Sequence, residues 1–542
     1  MCLHVLQSSQ YVYARRMKRF RLGRALSFLV VSLTTTTAFA GGYDTPMLYT
    51  ARHMGMGGAA QAYVDDPSAL FHNPAGLMGT DRLSIVADFS LLTGSITSSP
   101  NNNTEARSIE SERTIAPFFL LGVSGRITEW LTAGFSVYPV ASAGAEFQYD
   151  DGFGATTTDR TRLVFLELSP GVAFQIPSYP ELSIGLGYRI TIVQLERFQQ
   201  TVDSAFPDAP DTGIDFELSG ASFGGFRLGV QWRALKYLQV GVSYRHKTET
   251  TVDGDGIVVG SDWDYVSTKF TLPSRLALGL RSDFADFGVA LDIEYALNSQ
   301  NDHAFILVGP DRAAANACRE TDMEPDNDDC LDNVSDWTDA ITIRAGLEYR
   351  LLEGQLPIRV GYIWDQTTSS SSYPSAFGTP PGPTHVITLG TGWNTPTWSI
   401  DVAYAFRQGS ATMTADDFAA RGDRECPFCS YPTDPGADGI HGTNDDGDDY
   451  AIRLHGLYLT VSYNLGVKAE DEEPAVPDYP TSDESQRETY EPEPVELEEA
   501  EEPVELEPEE QELEDRALEE EHMSEENVNE DTLPMNEDAS DL

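Results

Sequence analysis

Between Arg82 and Gly466 apolar and polar residues alternate with a period of two, in segments rich in Val, Ile, Leu, Phe, Tyr and Gly separated by turn clusters. In the first segment Leu83, Ile85, Ala87, Phe89 and Leu91 share one face, and Ser84, Asp88 and Ser90 fall on the other. Further on, Phe287, Val289, Leu291, Ile293, Tyr295 and Leu297 oppose Asp292 and Glu294. The pattern predicts fourteen strands, at 82–96, 113–127, 130–147, 160–177, 181–197, 214–233, 237–252, 264–283, 286–299, 338–352, 355–367, 384–394, 397–409 and 450–466. Several are far longer than the roughly five or six residues of a typical strand in a soluble sandwich, and long enough for a tilted bilayer crossing.

Connections alternate between short turns, such as Ser178-Tyr179-Pro180 and Phe284-Ala285-Asp286, and long loops at about 97–112, 148–159, 198–213, 253–263, 300–337, 368–383 and 410–449. Short turns on one side and long loops on the other are the habit of bacterial outer-membrane barrels. No run reaches the roughly 18 apolar residues of a spanning helix, so a membrane form must satisfy its backbone as a closed barrel. The predicted fold class is all-β: a 14-stranded antiparallel transmembrane β-barrel, apolar outside and mixed toward the lumen, with both termini periplasmic. Tyr138, Tyr188, Tyr244, Tyr349, Tyr362, Trp393, Trp398 and Tyr404 suit interfacial girdles.

Ahead of the strands, Gly55 to Leu77 shows neither period. Gly55, Gly57 and Gly58 let backbone approach backbone, and Asn73-Pro74 with Ala75-Gly76 forces a turn. With so few large apolar side chains the segment cannot bury a core of its own and needs a container. The chain therefore divides into an export signal (1–40), an N-terminal plug (41–81), the barrel (82–467) and an acidic tail (468–542). The signal pairs Arg15, Arg16, Lys18, Arg19, Arg21 and Arg24 with apolar Ala25 to Leu33 and Ala38-Phe39-Ala40, with Met17 as the start.

Charge sharpens this division. The 542 residues carry a formal charge of −52, and 469–542 alone holds 32 acidic and 2 basic residues. Such a tail cannot bury enough apolar surface to order itself, and the balance excludes nucleic acid as a partner. After export four cysteines remain, Cys318, Cys330, Cys426 and Cys429, in polar stretches that suggest two local disulfides in an oxidising compartment. Cys426-Pro427-Phe428-Cys429 also has the spacing of a redox or metal site. Asp434, Asp438, Asp445, Asp446 and Asp448 offer oxygen ligands suited to calcium, against the alternative of a hydrated loop. No nucleophile with a base, catalytic metal motif or phosphate loop stands out, so the expectation is a protein that is not an enzyme and has no cofactor beyond that calcium.

The Gly55–Leu77 segment resembles the N-terminal plug of the FadL/TodX family of outer-membrane transporters. Leu272-Pro273-Ser274-Arg275-Leu276-Ala277-Leu278-Gly279 and Arg359-Val360-Gly361-Tyr362-Ile363-Trp364-Asp365 resemble barrel motifs of the same family. The resemblance implies a monomeric, lumen-plugged barrel passing long-chain fatty acids or other hydrophobic compounds by diffusion, with outer-membrane lipid around it. Gly57, Gly58, Asn73, Pro74 and Ala75 then hold the plug, with the Asn-Pro-Ala turn against the wall. Tyr43 matches an aromatic near the ligand, and Pro139 with Gly144 marks an inward kink that opens a lateral exit, a simple bulge being the alternative. A PorV-like adaptor for secreted proteins, or an adhesin or structural barrel, is the competing reading.

Overall fold

The structure is a computed structural model and describes residues 49–99, 108–150, 156–202, 210–258, 260–317, 330–414, 416–417 and 447–466. Its strands, in chain order, begin with β1 (Leu83–Ser98), β2 (Ile109–Glu110), β3 (Thr114–Thr128), β4 (Leu131–Asp150), β5 (Thr156–Ile176), β6 (Tyr179–Val202) and β7 (Pro210–Leu235). Next come β8 (Leu238–Arg245), β9 (Thr248–Val258), β10 (Ser261–Leu272), β11 (Arg275–Phe284), β12 (Phe287–Ala296), β13 (His303–Gly309) and β14 (Cys330–Val334). The last five are β15 (Ala340–Leu351), β16 (Leu356–Asp365), β17 (Thr384–Asn394), β18 (Trp398–Thr414) and β19 (Gly447–Leu465).

Fourteen of these close a ring in the order β1, β3, β4, β5, β6, β7, β8, β11, β12, β15, β16, β17, β18, β19. The seam between β1 and β19 runs without a slip from Leu83↔Leu465 to Thr97↔Ala451. All pairings are antiparallel, and every strand of the ring pairs with a neighbour on each side, the β3–β4 pair over only part of its length. The outward faces carry the apolar side chains the alternation predicts: on β12, Phe287, Val289, Leu291, Ile293 and Tyr295 are exposed, while Ala290 and Asp292 are buried inside. Ser84, Asp88 and Ser90 likewise turn inward from β1.

Two predicted strands are broken. The segment 237–252 divides at His246-Lys247 into β8 and β9, and 264–283 divides at Pro273-Ser274 into β10 and β11. Proline has no N–H to give the ladder. Beyond this break β9 pairs with the outer part of β7, and β10 pairs with β9 and with β13, so this hairpin extends the sheet past the ends of β8 and β11. Tyr138 departs from the girdle expected of it: it is fully buried in the lumen, whereas Tyr188, Tyr349, Tyr362, Trp393, Trp398 and Tyr404 face outward.

The lumen has two zones. Near the short-turn end inward positions are polar: Asp88, Thr132, Ser136, Glu167, Ser169, Arg189, Arg227, Asp292, Thr388, Asp401 and Thr460. Toward the long-loop end the same strands turn apolar residues inward, among them Leu92 and Ile96 on β1, Leu163 and Phe165 on β5, and Val193 and Leu195 on β6. Residues 49–81 lie across the polar zone.

Candidate transport site

The plug is built from one turn of α-helix (Ala51–Met54) and two 3₁₀ turns (Pro67–Leu70 and Pro74–Gly79). Each 3₁₀ turn starts on a side-chain cap, Asp66 accepting from the Ser68 amide and Asn73 from the Ala75 amide, with Pro at the next position. So short a segment cannot pair all its own backbone groups, and the polar wall completes them. Thr460 Oγ1 accepts from the Ala51 amide at 2.7 Å, and Asp292 Oδ2 accepts from the amides of Ala60 and Gln61 at 2.8 and 3.1 Å. Thr388 Oγ1 accepts from the Gly57 amide at 3.1 Å. Arg227 donates to the Leu70 and Phe71 carbonyls, and Ser136 Oγ to that of Pro67.

The sequence-level plug residues come together here. Asn73 Nδ2 donates to Gln61 O at 2.8 Å and to the strand carbonyl of Val230 at 3.0 Å, which ties the Asn-Pro-Ala turn to β7. Gly57 and Gly58 adopt φ of 67° and 73°, a backbone form in which a side chain is strained. Asp66 is the buried cap, and Asp65 pairs with Arg52 at 2.7 Å. Tyr43, Cys318, Cys426, Cys429, Asp434, Asp438, Asp445 and Asp446 lie outside the described residues. Cys330 opens β14 and Asp448 is buried within β19 opposite Met413. Among the described residues no group of three or more His, Cys, Asp or Glu gathers as metal ligands.

Motif reading included Gly361 in a barrel motif but assigned none of the wall glycines a contact with the plug. A Cβ on Gly361 would lie 2.0 Å from the Gly57 amide nitrogen, and one on Gly229 would lie 2.0 Å from Asn73 Oδ1. Gly185, Gly241, Gly346 and Gly390 meet plug backbone in the same way. Their signal is glycine on the inward register of a strand, where a side chain normally packs.

At the centre of the plug the His53 and His72 rings meet at 5.0 Å, with the Tyr63 ring 5.4 Å from His53. His72 Nε2 donates to the Tyr49 carbonyl at 2.7 Å, and Thr50 Oγ1 is 3.1 Å from His53 Nδ1. Burial holds His53 well below the usual imidazole range and His72 down to about 3, so both are neutral.

On the short-turn side of the plug a polar vestibule of about 740 Å³ is lined by Arg52, Asp65, Arg281, Glu348, Arg359 and Asp401, among others. Arg281 and Arg359 share Glu348 at 2.9 and 2.8 Å, Arg359 reaches Asp401 at 2.5 Å, and Arg281 lies over the Tyr63 ring at 4.7 Å. On the other side begins the apolar column. Tyr49, Phe71 and Tyr138 form its floor, with ring centroids 5.3 to 6.2 Å apart.

Beside that floor the wall is interrupted. The β3–β4 ladder runs only from Thr128↔Leu131 to Leu121↔Val137, although β3 begins at Thr114 and β4 continues to Asp150. Pro139 marks a slip in the β4–β5 register, with Val140 bulged before Ala141, and Gly144 takes φ of 152°. From Tyr138 to Ala145 every residue is buried, on both faces of the strand, so this part of β4 has drawn inward. Pro139 and Gly144 thus flank one feature, and the Tyr49 hydroxyl donates to the Pro139 carbonyl at 2.6 Å.

Comparison with known proteins agrees with this architecture. The crystal structure of a Pseudomonas aeruginosa FadL homologue superposes with a TM-score of 0.56 at 14% identity, over 80% of this chain and 99% of that one. The Pseudomonas putida toluene transporter TodX gives 0.52 at 16%, over 78% and 99%. The Ralstonia pickettii toluene transporter TbuX gives 0.50 at 14%, over 78% and 99%. At these identities the likeness is one of fold. No curated protein matches. A family model for outer membrane protein transport protein (OMPP1/FadL/TodX) matches residues 31–425, well over half of the sequence. The chain belongs to the OMPP1/FadL/TodX family of outer-membrane transport proteins.

Proposed function

We propose that the barrel takes hydrophobic small molecules from outside the cell into the outer membrane by passive diffusion, along the apolar column and out sideways between β3 and β4. The observation that carries this reading is the ladder that stops at Leu121↔Val137 beside a strand withdrawn from the wall. A passenger leaving there meets lipid, whereas one going straight on meets the plug and then a charged vestibule. The long loops face outward, the short turns and both termini face the periplasm, and the working unit is a monomer.

The passenger is uncharged where it travels: a hydrocarbon, or a long-chain fatty acid in its protonated form. The arginines bordering the column's floor are engaged. Arg189 pairs with Glu167, Arg227 with plug carbonyls, and Arg407 with Asp365 at 3.3 Å. A carboxylate would have to displace one of these partners, at the cost of leaving a charge unpaired.

The test is uptake of radiolabelled toluene and oleate by cells producing the full chain, compared with a Pro139→Val/Gly144→Val variant that favours a straight, paired β4. Uptake should fall to background in the variant while its barrel stays folded in the membrane. Equal uptake by the two proteins would overturn the lateral route, and no uptake by the unaltered protein would overturn the transport reading.

A further inference from the structure

The loop of residues 366–383, between β16 and β17, carries no charged residue, and it does not stand out from the barrel. Ser369, Ser370, Tyr373, Ala376 and Thr379 are buried. Its tip reaches the far wall. Phe377 packs against the apolar column and meets the Phe147 ring edge to face at 5.6 Å, and the Arg197 guanidinium lies 4.9 Å from the centre of its ring. Phe147 is on β4 and Arg197 on β6, each six wall strands from β16 when counted in opposite directions round the ring of fourteen. The loop therefore crosses the mouth of the column from one side to the other.

Its seat is preorganised. Asp159, itself buried, accepts from Arg197 and from Gln199 Nε2, and Arg197 also donates to the Phe198 carbonyl at 2.9 Å. With its edge held by these acceptors, the guanidinium presents its face to Phe377. Beside the tip, Ser98 Oγ at the end of β1 donates to the Ala376 carbonyl at 2.8 Å. Within the loop, Ser369 Oγ donates to Thr379 O at 2.9 Å.

We propose that residues 366–383 are the gate through which passengers reach the column, with Phe377 as its latch on Phe147 and Arg197. The inference rests on the transport reading and adds the point of admission. Among the described contacts the latch is the Phe377 ring and the Ser98–Ala376 hydrogen bond, and a hydrophobic molecule can take over the ring's contacts with its own. The strap itself carries no counter-ion and the Arg197 guanidinium beside it is already paired with Asp159, so a charged molecule gains no free partner in passing.

The test joins the tip to the wall. In a Ser98→Cys/Ala376→Cys variant of the full chain the two thiols are linked with a short cleavable thiol-to-thiol reagent, with the single-cysteine variants as controls for the native cysteines. Uptake of radiolabelled toluene should stop on linking and return on cleavage. Phe377→Ala should raise the initial rate several-fold at low toluene, and Phe377→Leu should raise it less. Uptake unchanged by linking, or an unchanged rate in Phe377→Ala, overturns the gate. If linking has no effect while Pro139→Val/Gly144→Val still stops uptake, passengers bypass the strap and the lateral route stands. A protein that admits no toluene before linking overturns both readings.

Discussion

At Gly361 the smallest side chain is already too large. Its Cβ would stand 2.0 Å from the Gly57 amide nitrogen, and because the neighbour is backbone it cannot swing aside. Gly361→Ala is therefore expected to weaken plug docking by about 1–3 kcal/mol, the usual cost of overpacking. Limited proteolysis should find the plug cut faster while the barrel remains intact. The histidine pair makes a second expectation. In the docked plug both imidazoles are neutral, so a released plug binds protons that a docked plug refuses. Docking is then strongest above the free imidazole value of about 6.5, and below it weakens by up to roughly 1.4 kcal/mol per pH unit for each ring. For His72 the loss continues down to about 3. Plug cleavage should rise as the pH is lowered from about 7 to about 5, and His72→Phe should flatten that rise.

Among the elements, β4 links the plug to the gap in the wall. Tyr49 is the contact: its hydroxyl donates to the carbonyl of Pro139, the residue at which the β4–β5 register slips. Tyr49→Phe removes that bond at a cost of about 1 kcal/mol, and amides from 138 to 145 should exchange with solvent faster. Much of this scale was legible in the sequence. Alternation placed β1 and β12 and assigned their faces, because lipid demands apolar side chains outside. Pro139 and Gly144 were readable as departures from a regular strand. The breaks after Arg245 and before Arg275 were harder to read. Pro273 announces one, but His246-Lys247 has ordinary strand composition, and only the pairing shows β8 ending there while β9 goes on with β7 and β10. Tyr138 misled for a related reason: a tyrosine near a strand's middle reads alike in a girdle and under a plug.

Across the whole molecule, period-two alternation reports which residues face away from lipid but not what they meet there. The two lumenal zones come from depth along the strand, as in β1, where the inward series runs Ser84, Val86, Asp88, Ser90 and then Leu92, Gly94 and Ile96. Once the plug is known to need polar partners the change at Leu92 makes sense; without the plug it reads as lost amphipathicity. The wall glycines were hidden likewise, since only the docked backbone shows why Gly185, Gly229, Gly346 and Gly361 must lack a side chain. The break between β3 and β4 has a further bearing on the cell. On the proposed lateral route an opening onto lipid holds no store of energy and no preference for inbound traffic, so the bilayer's own affinity for the solute sets where the flow ends. Cells soaked in hydrocarbon and then rinsed into clean medium should bleed it back out through the same breach, faster with this protein than without it.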